Sequence, residues 1–146
     1  MDALHRRRPI SPAALLGLDD SFLERIDKLV KNVPAVLKTP RLRCDYSVKS
    51  VETIDRALRR LEYRALIEPE VVLPLWAYLG EVIRRETGGE WRMLPEQTGE
   101  RPQPVVTNIS RRHIGVCAFF KELHEFSEGG SLTSVVLTSI EYLKRA

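Results

Sequence analysis

Arg56, Arg60 and Arg64 follow one another at intervals of four residues, so a helix carrying them would line three guanidinium groups along one side, with Arg59 close by. Guanidinium forks donate paired hydrogen bonds to carboxylates and phosphates, which makes this row an anion-facing surface suited to an acidic protein or a nucleic-acid backbone. The same residues also fit an ordinary solvated, ion-paired face, because Glu52 lies four residues before Arg56 and Glu68 four after Arg64. Tyr63 is the one aromatic among them, whereas surfaces that stack single-stranded nucleic acid interleave several. A protein partner bound through Arg56, Arg60 and Arg64 is therefore the leading expectation, with a nucleic-acid-associated factor as the alternative.

The other reactive side chains fall short of a site. His113, Cys117, Phe120 and His124 share a narrow arc if residues 113–127 are helical. His124 would then stand about 10.5 Å along the axis from Cys117, so His113, Cys117 and His124 cannot ligate one ion. A Cys–His nucleophile would also need an orienting group and an oxyanion site, for which there is no motif. The glycines at 88–89, 99 and 129–130 neither precede a Lys-Ser/Thr pair nor lead from a strand into a helix, which leaves ATP and NAD unsupported. Asp19-Asp20 at a helix start complements the helix dipole. Glu81 reads as a surface partner of Arg85 at i, i+4, beside a packing glycine, Gly80. No catalytic residue, metal or cofactor is expected.

These residues must be positioned by elements whose signals lie along the chain. Residues 1–18 hold three arginines, two prolines and no sustained period, and read as a flexible basic N-terminal arm ahead of one globular domain over 19–146. Ser21-Phe22-Leu23-Glu24 matches a capping box, and Phe22, Ile26, Leu29 and Val33 give the first helix a 21–33 span stopped by Pro34. The chain to Ser50 is then extended or looped. Ser50 caps a second helix with an apolar stripe of Val51, Ile54, Leu58, Leu61 and Ala65, and Pro69 and Pro74 bracket the entry to a third that ends at Gly88-Gly89. Glu90–Leu94 and Pro104–Asn108 alternate as two strands around a Pro/Gly-rich loop, and helices over about 113–127 and 131–145 follow, the last capped by Ser131. The fold class is α+β: a helix-rich single domain with a small two-stranded antiparallel sheet.

Composition bounds the class further. With 43% hydrophobic and 29% charged residues the chain is an ordinary globular protein. The longest strongly apolar run, Val71 to Ile83, is interrupted by Pro74, Gly80 and Glu81, so no membrane span is expected. Cys44 and Cys117 stand far apart in a chain that needs no disulfide, which favours reduced thiols and a cytoplasmic setting. The net charge of +3 belongs to the first 50 residues, which carry ten Lys/Arg against six Asp/Glu.

Asp45-Tyr46-Ser47, the helix opening Val51-Glu52-Thr53-Ile54-Asp55, the segment Ala77-Tyr78-Leu79-Gly80-Glu81-Val82-Ile83-Arg84-Arg85 and then Gly88-Gly89-Glu90-Trp91 form an ordered series. It resembles a family of small bacterial proteins of unknown function in which a DYS segment precedes a YLGE helix and a GG.W turn into a strand. The resemblance covers residues 45–145 and departs from the family pattern at Ile114-Gly115-Val116-Cys117, where relatives continue with a proline-aromatic helix start. It implies a bacterial accessory protein, some relatives of which resemble immunity or partner proteins of secreted toxins. The expected function is thus that of a non-enzymatic accessory factor, an immunity or adaptor protein.

Overall fold

A computed structural model describes residues 20–58, 60, 69–94, 103–108, 112–115 and 131–145. The described elements run α1 (Asp20–Lys31), α2 (Val33–Val36), α3 (Val48–Leu58), α4 (Pro69–Thr87), β1 (Glu90–Leu94), β2 (Gln103–Thr107), β3 (His113–Gly115) and α5 (Leu132–Lys144). The arrangement is α+β, as expected, with three antiparallel strands in the order β1-β2-β3. The expected arm at 1–18 lies outside the described residues.

Helix α4 organises the rest. Its residues from Val71 to Ile83 are buried except for half-buried Leu73, and α1, α2, α5 and β2 all pack against it. A helix surrounded in this way is apolar nearly all round, Glu81 excepted, which accounts for the long apolar run from Val71 to Ile83. Trp76, Tyr78, Leu75 and Leu79 are fully buried along it, met by Phe22 and Ile26 from α1, Ile54 and Leu58 from α3, and Val136 and Ile140 from α5. Pro69 opens the helix, but Pro74 lies inside it and leaves the Glu70 carbonyl without its usual i+4 donor. Among the described residues no helix is long and apolar enough to cross a membrane.

Several boundaries differ from the sequence expectation, each for a local reason. Helix α1 already includes Asp20 and ends at Lys31, so Ser21 sits within the first turn rather than at the cap. Pro34 does not stop that helix; it stands in the first turn of α2, where its missing N–H breaks no bond. Helix α3 is capped by Ser47 in place of Ser50, since the Ser47 hydroxyl accepts from the Ser50 N–H at 3.1 Å. The span 113–127 is not helical at its start: His113–Gly115 pairs with β2, Val106 opposite Ile114 and Thr107 opposite His113. Ser131 caps the last helix as expected, its hydroxyl accepting from the Ser134 N–H.

The turn from α4 into β1 depends on both glycines. Gly88 adopts φ +71°, the left-handed conformation that follows a helix end, and Gly89 N–H closes the turn on the Arg84 carbonyl at 3.0 Å. Gly89 lies so close to β2 that a β-carbon on it would stand 2.6 Å from the Thr107 carbonyl oxygen, whereas one on Gly88 would meet nothing within 4 Å. Gly88→Ala is accordingly expected to cost about 1 kcal/mol through its backbone alone, and Gly89→Ala about 2–3 kcal/mol because the strand must move. Urea midpoints of the two variants, compared side by side, check this order.

Candidate functional site

Three segments distant in the chain meet at one place. Asp45-Tyr46-Ser47 forms the loop before α3, Tyr78, Glu81, Arg84 and Arg85 stand on α4, and Trp91 reaches back from β1. The loop is set by short-range bonds: the Asp45 carboxylate accepts from the Ser47 N–H at 3.1 Å and from its hydroxyl at 2.5 Å, which holds the Asp45 carboxyl below its usual range. Tyr46 is left with φ +66°, an unusual conformation for a bulky residue and one that costs about 1 kcal/mol. Two features stabilise it there. Its N–H donates to the Tyr78 hydroxyl at 2.8 Å, and its ring stacks on the Tyr78 ring with centroids 5.0 Å apart and planes 18° from parallel. Ser50 gives its hydroxyl proton to the Ser47 carbonyl, so Tyr78 donates in turn to Ser50 Oγ at 2.6 Å. Burial pushes the Tyr78 phenol up to about 12.

Above this stack lies an arginine–carboxylate cluster. Glu81 is only 6% exposed. Its two oxygens accept from Arg84 Nε at 2.6 Å and Nη2 at 3.1 Å, from Arg85 Nε at 2.9 Å and from Trp91 Nε1 at 2.8 Å. Burial alone would raise the Glu81 pKa, but the donors from Arg84, Arg85 and Trp91 outweigh it and bring the carboxyl down to about 2. The expected i, i+4 pair with Arg85 therefore exists, but Glu81 is buried rather than on the surface. Trp91 is held over the cluster by an edge-to-face contact with Phe22, ring centroids 5.9 Å apart. The Arg85 guanidinium lies 3.8 Å above the Tyr46 ring centre, completing a Tyr78–Tyr46–Arg85 stack.

A second built constellation sits at the start of α5. Asp55, 6% exposed on α3, accepts from the Leu132 N–H at 3.2 Å, the Thr133 N–H at 3.1 Å, the Thr133 hydroxyl at 2.8 Å and the Ser131 hydroxyl at 3.1 Å. The other end of α5 is tied by Asn108, which donates to the Leu143 carbonyl at 2.6 Å, and by Arg112, which donates to the Tyr142 carbonyl at 3.1 Å. A shallow groove of about 730 Å³ on the outer sheet face is lined by residues that include Arg92, Thr107 and His113. These carboxylates and amides act as anchors: each accepts or donates to backbone or side-chain groups that it fixes in place.

The sequence-predicted binding residues fare differently. Arg56 is exposed on α3 with Nη2 3.4 Å from the Thr53 hydroxyl. The described helix ends at Leu58, so Arg60 is not on it but in the following turn, its N–H bonded to the Ala57 carbonyl and its Nη2 3.4 Å from the Thr39 hydroxyl. Arg64, like Cys117 and His124, lies outside the described residues. His113 is exposed on β3, and among the described residues no three His, Cys, Asp or Glu side chains gather as metal ligands would. Cys44 is a free, half-buried thiol, its pKa raised by burial and by Asp45. The Glu81 cluster and the Asp55 cap escaped the sequence reading, although the spacing of Glu81, Arg84 and Arg85 was a local signal of the first. No family model matches this sequence, and no match was found among curated proteins or solved structures.

Proposed function

We propose that this chain is a non-enzymatic accessory protein, of adaptor or immunity type, that holds an acidic protein partner on a cationic surface contributed by α3 and the turn after α2. The observation that carries the reading is the contact of Arg60 with Thr39, which brings Arg60 beside the turn bearing Lys38 and Arg41. Lys38 takes φ 55° there, at the position after the α2 end that glycine usually fills, which fixes the turn beneath those cations. Among the described residues of 21–60, eight Lys and Arg are exposed against four Asp and Glu, a net positive exposed charge of the kind that steers an anionic partner. The buried acids support the same reading. Glu81 accepts four hydrogen bonds that stabilise its charged form and oppose proton transfer, and Asp55 spends its two oxygens on four donors of the α5 start.

A photo-reactive residue at position 38, in cells of the source organism, is expected to cross-link to a protein. Arg56→Glu combined with Arg60→Glu should reduce that product at least about tenfold. Because both side chains are exposed, the double variant should keep its unfolding free energy, measured in urea, within about 1 kcal/mol of the parent. A cross-link to nucleic acid, or one indifferent to the double reversal, contradicts the proposal.

A further inference from the structure

We infer that the outward edge of Arg85, stacked on Tyr46, is a carboxylate-binding subsite that receives an acidic side chain or a free C-terminus of a protein partner. This deepens the binding reading above and rests on it.

The geometry begins with what Arg85 has already committed. Its Nε is held by Glu81 at 2.9 Å and its guanidinium plane rests 3.8 Å over the Tyr46 ring. Among the described residues neither terminal nitrogen has a hydrogen-bond partner, and the side chain is 49% exposed. An arginine is normally costly to immobilise, because its long chain loses rotamer freedom on binding. Here that loss is incurred on folding. Glu81 fixes one edge, Tyr46 fixes the plane, and Tyr46 is itself fixed by its stack on Tyr78 and by the bond from its N–H to the Tyr78 hydroxyl. What remains open is the edge bearing Nη1 and Nη2, whose two parallel donors match the two oxygens of a carboxylate. The left-handed backbone at Tyr46 points the same way, since it is strain retained at the residue that presents the guanidinium.

Local charge selects among anions. Arg84 and Arg85 share one buried countercharge, Glu81, which leaves a single positive charge at the cluster. Asp27 acts electrostatically on Tyr46, and Asp45 on Tyr78, so both bear on an anion held at the stack. Their repulsion acts on either anion but about twice as strongly on a phosphate dianion, so a monoanionic carboxylate is the better match to that single charge.

The test follows the arginine side-chain NMR signals of the isotope-labelled full chain during titration. The probes are N-acetyl-glutamate amide for a side-chain carboxylate, N-acetyl-alanine free acid for a terminal one, N-acetyl-glutamine amide as the neutral control, and inorganic phosphate. The Arg85 Nε and Nη signals are expected to shift saturably with at least one carboxylate, and the tighter of the two names the source. The glutamine control should bind at least about tenfold more weakly, the loss of one charge-assisted pair. Arg85→Lys keeps the charge but not the fork and should weaken carboxylate binding severalfold while Arg84 still holds Glu81. No saturable shift up to about 10 mM carboxylate, equal binding of the glutamine control, or tighter binding of phosphate would overturn the subsite. If the subsite fails while the cross-link at position 38 persists, only the role of Arg85 is lost; loss of that cross-link removes the wider binding reading.

Discussion

Asp55→Ala is expected to lower stability by about 3–5 kcal/mol, a large part of the total for a domain of this size, and to release α5 from α3. The four donors that converge on Asp55 come from the first turn of α5, where backbone N–H groups have no partner within their own helix. Alanine leaves the Leu132 and Thr133 amides unpaired in a half-dry junction, and Leu132 itself is fully buried there. Asp55→Asn should fall between. Three of the four donors reach one carboxylate oxygen, so a carbonyl in that place keeps them, while the amide nitrogen would face the Leu132 N–H. Urea denaturation gives the total loss. Hydrogen exchange at the amides of 132–136 should rise in Asp55→Ala before the α4 amides do, and equal protection at both would contradict the role assigned to Asp55.

Glu81→Gln should follow at about 3 kcal/mol, with a distinctive pH dependence. The folded carboxyl sits near 2, below its ordinary value of 4.5. The stabilisation it contributes is therefore fully present above about pH 4.5 and is lost as the pH falls through the folded value. The difference in stability between the parent and Glu81→Gln should be constant from pH 5 to 7 and should shrink between pH 4.5 and 2. A difference that grows on acidification would show that the carboxylate does not carry the cluster. Glutamine keeps one oxygen with two of the four donors and turns its own N–H groups toward the other two, while Arg84 and Arg85 lose their shared countercharge, which is why the loss is expected to exceed that of an exposed ion pair.

How much of this was legible in the sequence depended on distance along the chain. The Ser131 cap, the two longer strands and the glycine stop of α4 all involve neighbours within a few residues, and periodicity and turn chemistry found them. His113–Gly115 was misread as a helix start because three residues are too short to show alternation; its conformation comes from pairing with Val105, Val106 and Thr107. Ser47 and Ser50 satisfy the same capping rule, and the choice between them is made by Asp45 on one side and Tyr78 on the other. Glu81 shows the limit most clearly. Its helical spacing from Arg85 predicted the pair, but its burial depends on Trp91 and Phe22, which the fold brings in from β1 and α1. Asp55 could not be assigned a task at all, since its partners are 76–78 residues further along. The arginine row was legible as charge, yet its geometry was not: the helix ends at Leu58, and Arg60 joins the surface through Thr39 instead of through a continuous helical face.

The salt dependence of the captured complex tests the binding surface most directly. With the cross-linked partner purified, affinity is measured by calorimetry from about 50 to 200 mM salt. A packed interface steered by Lys38, Arg41, Arg56 and Arg60 predicts a fall of about tenfold or less over that range, with the residual affinity weakened by the Arg56→Glu, Arg60→Glu pair. A fall of about a thousandfold or more, the signature of counterion release from a polyphosphate backbone, would contradict a protein partner on this surface.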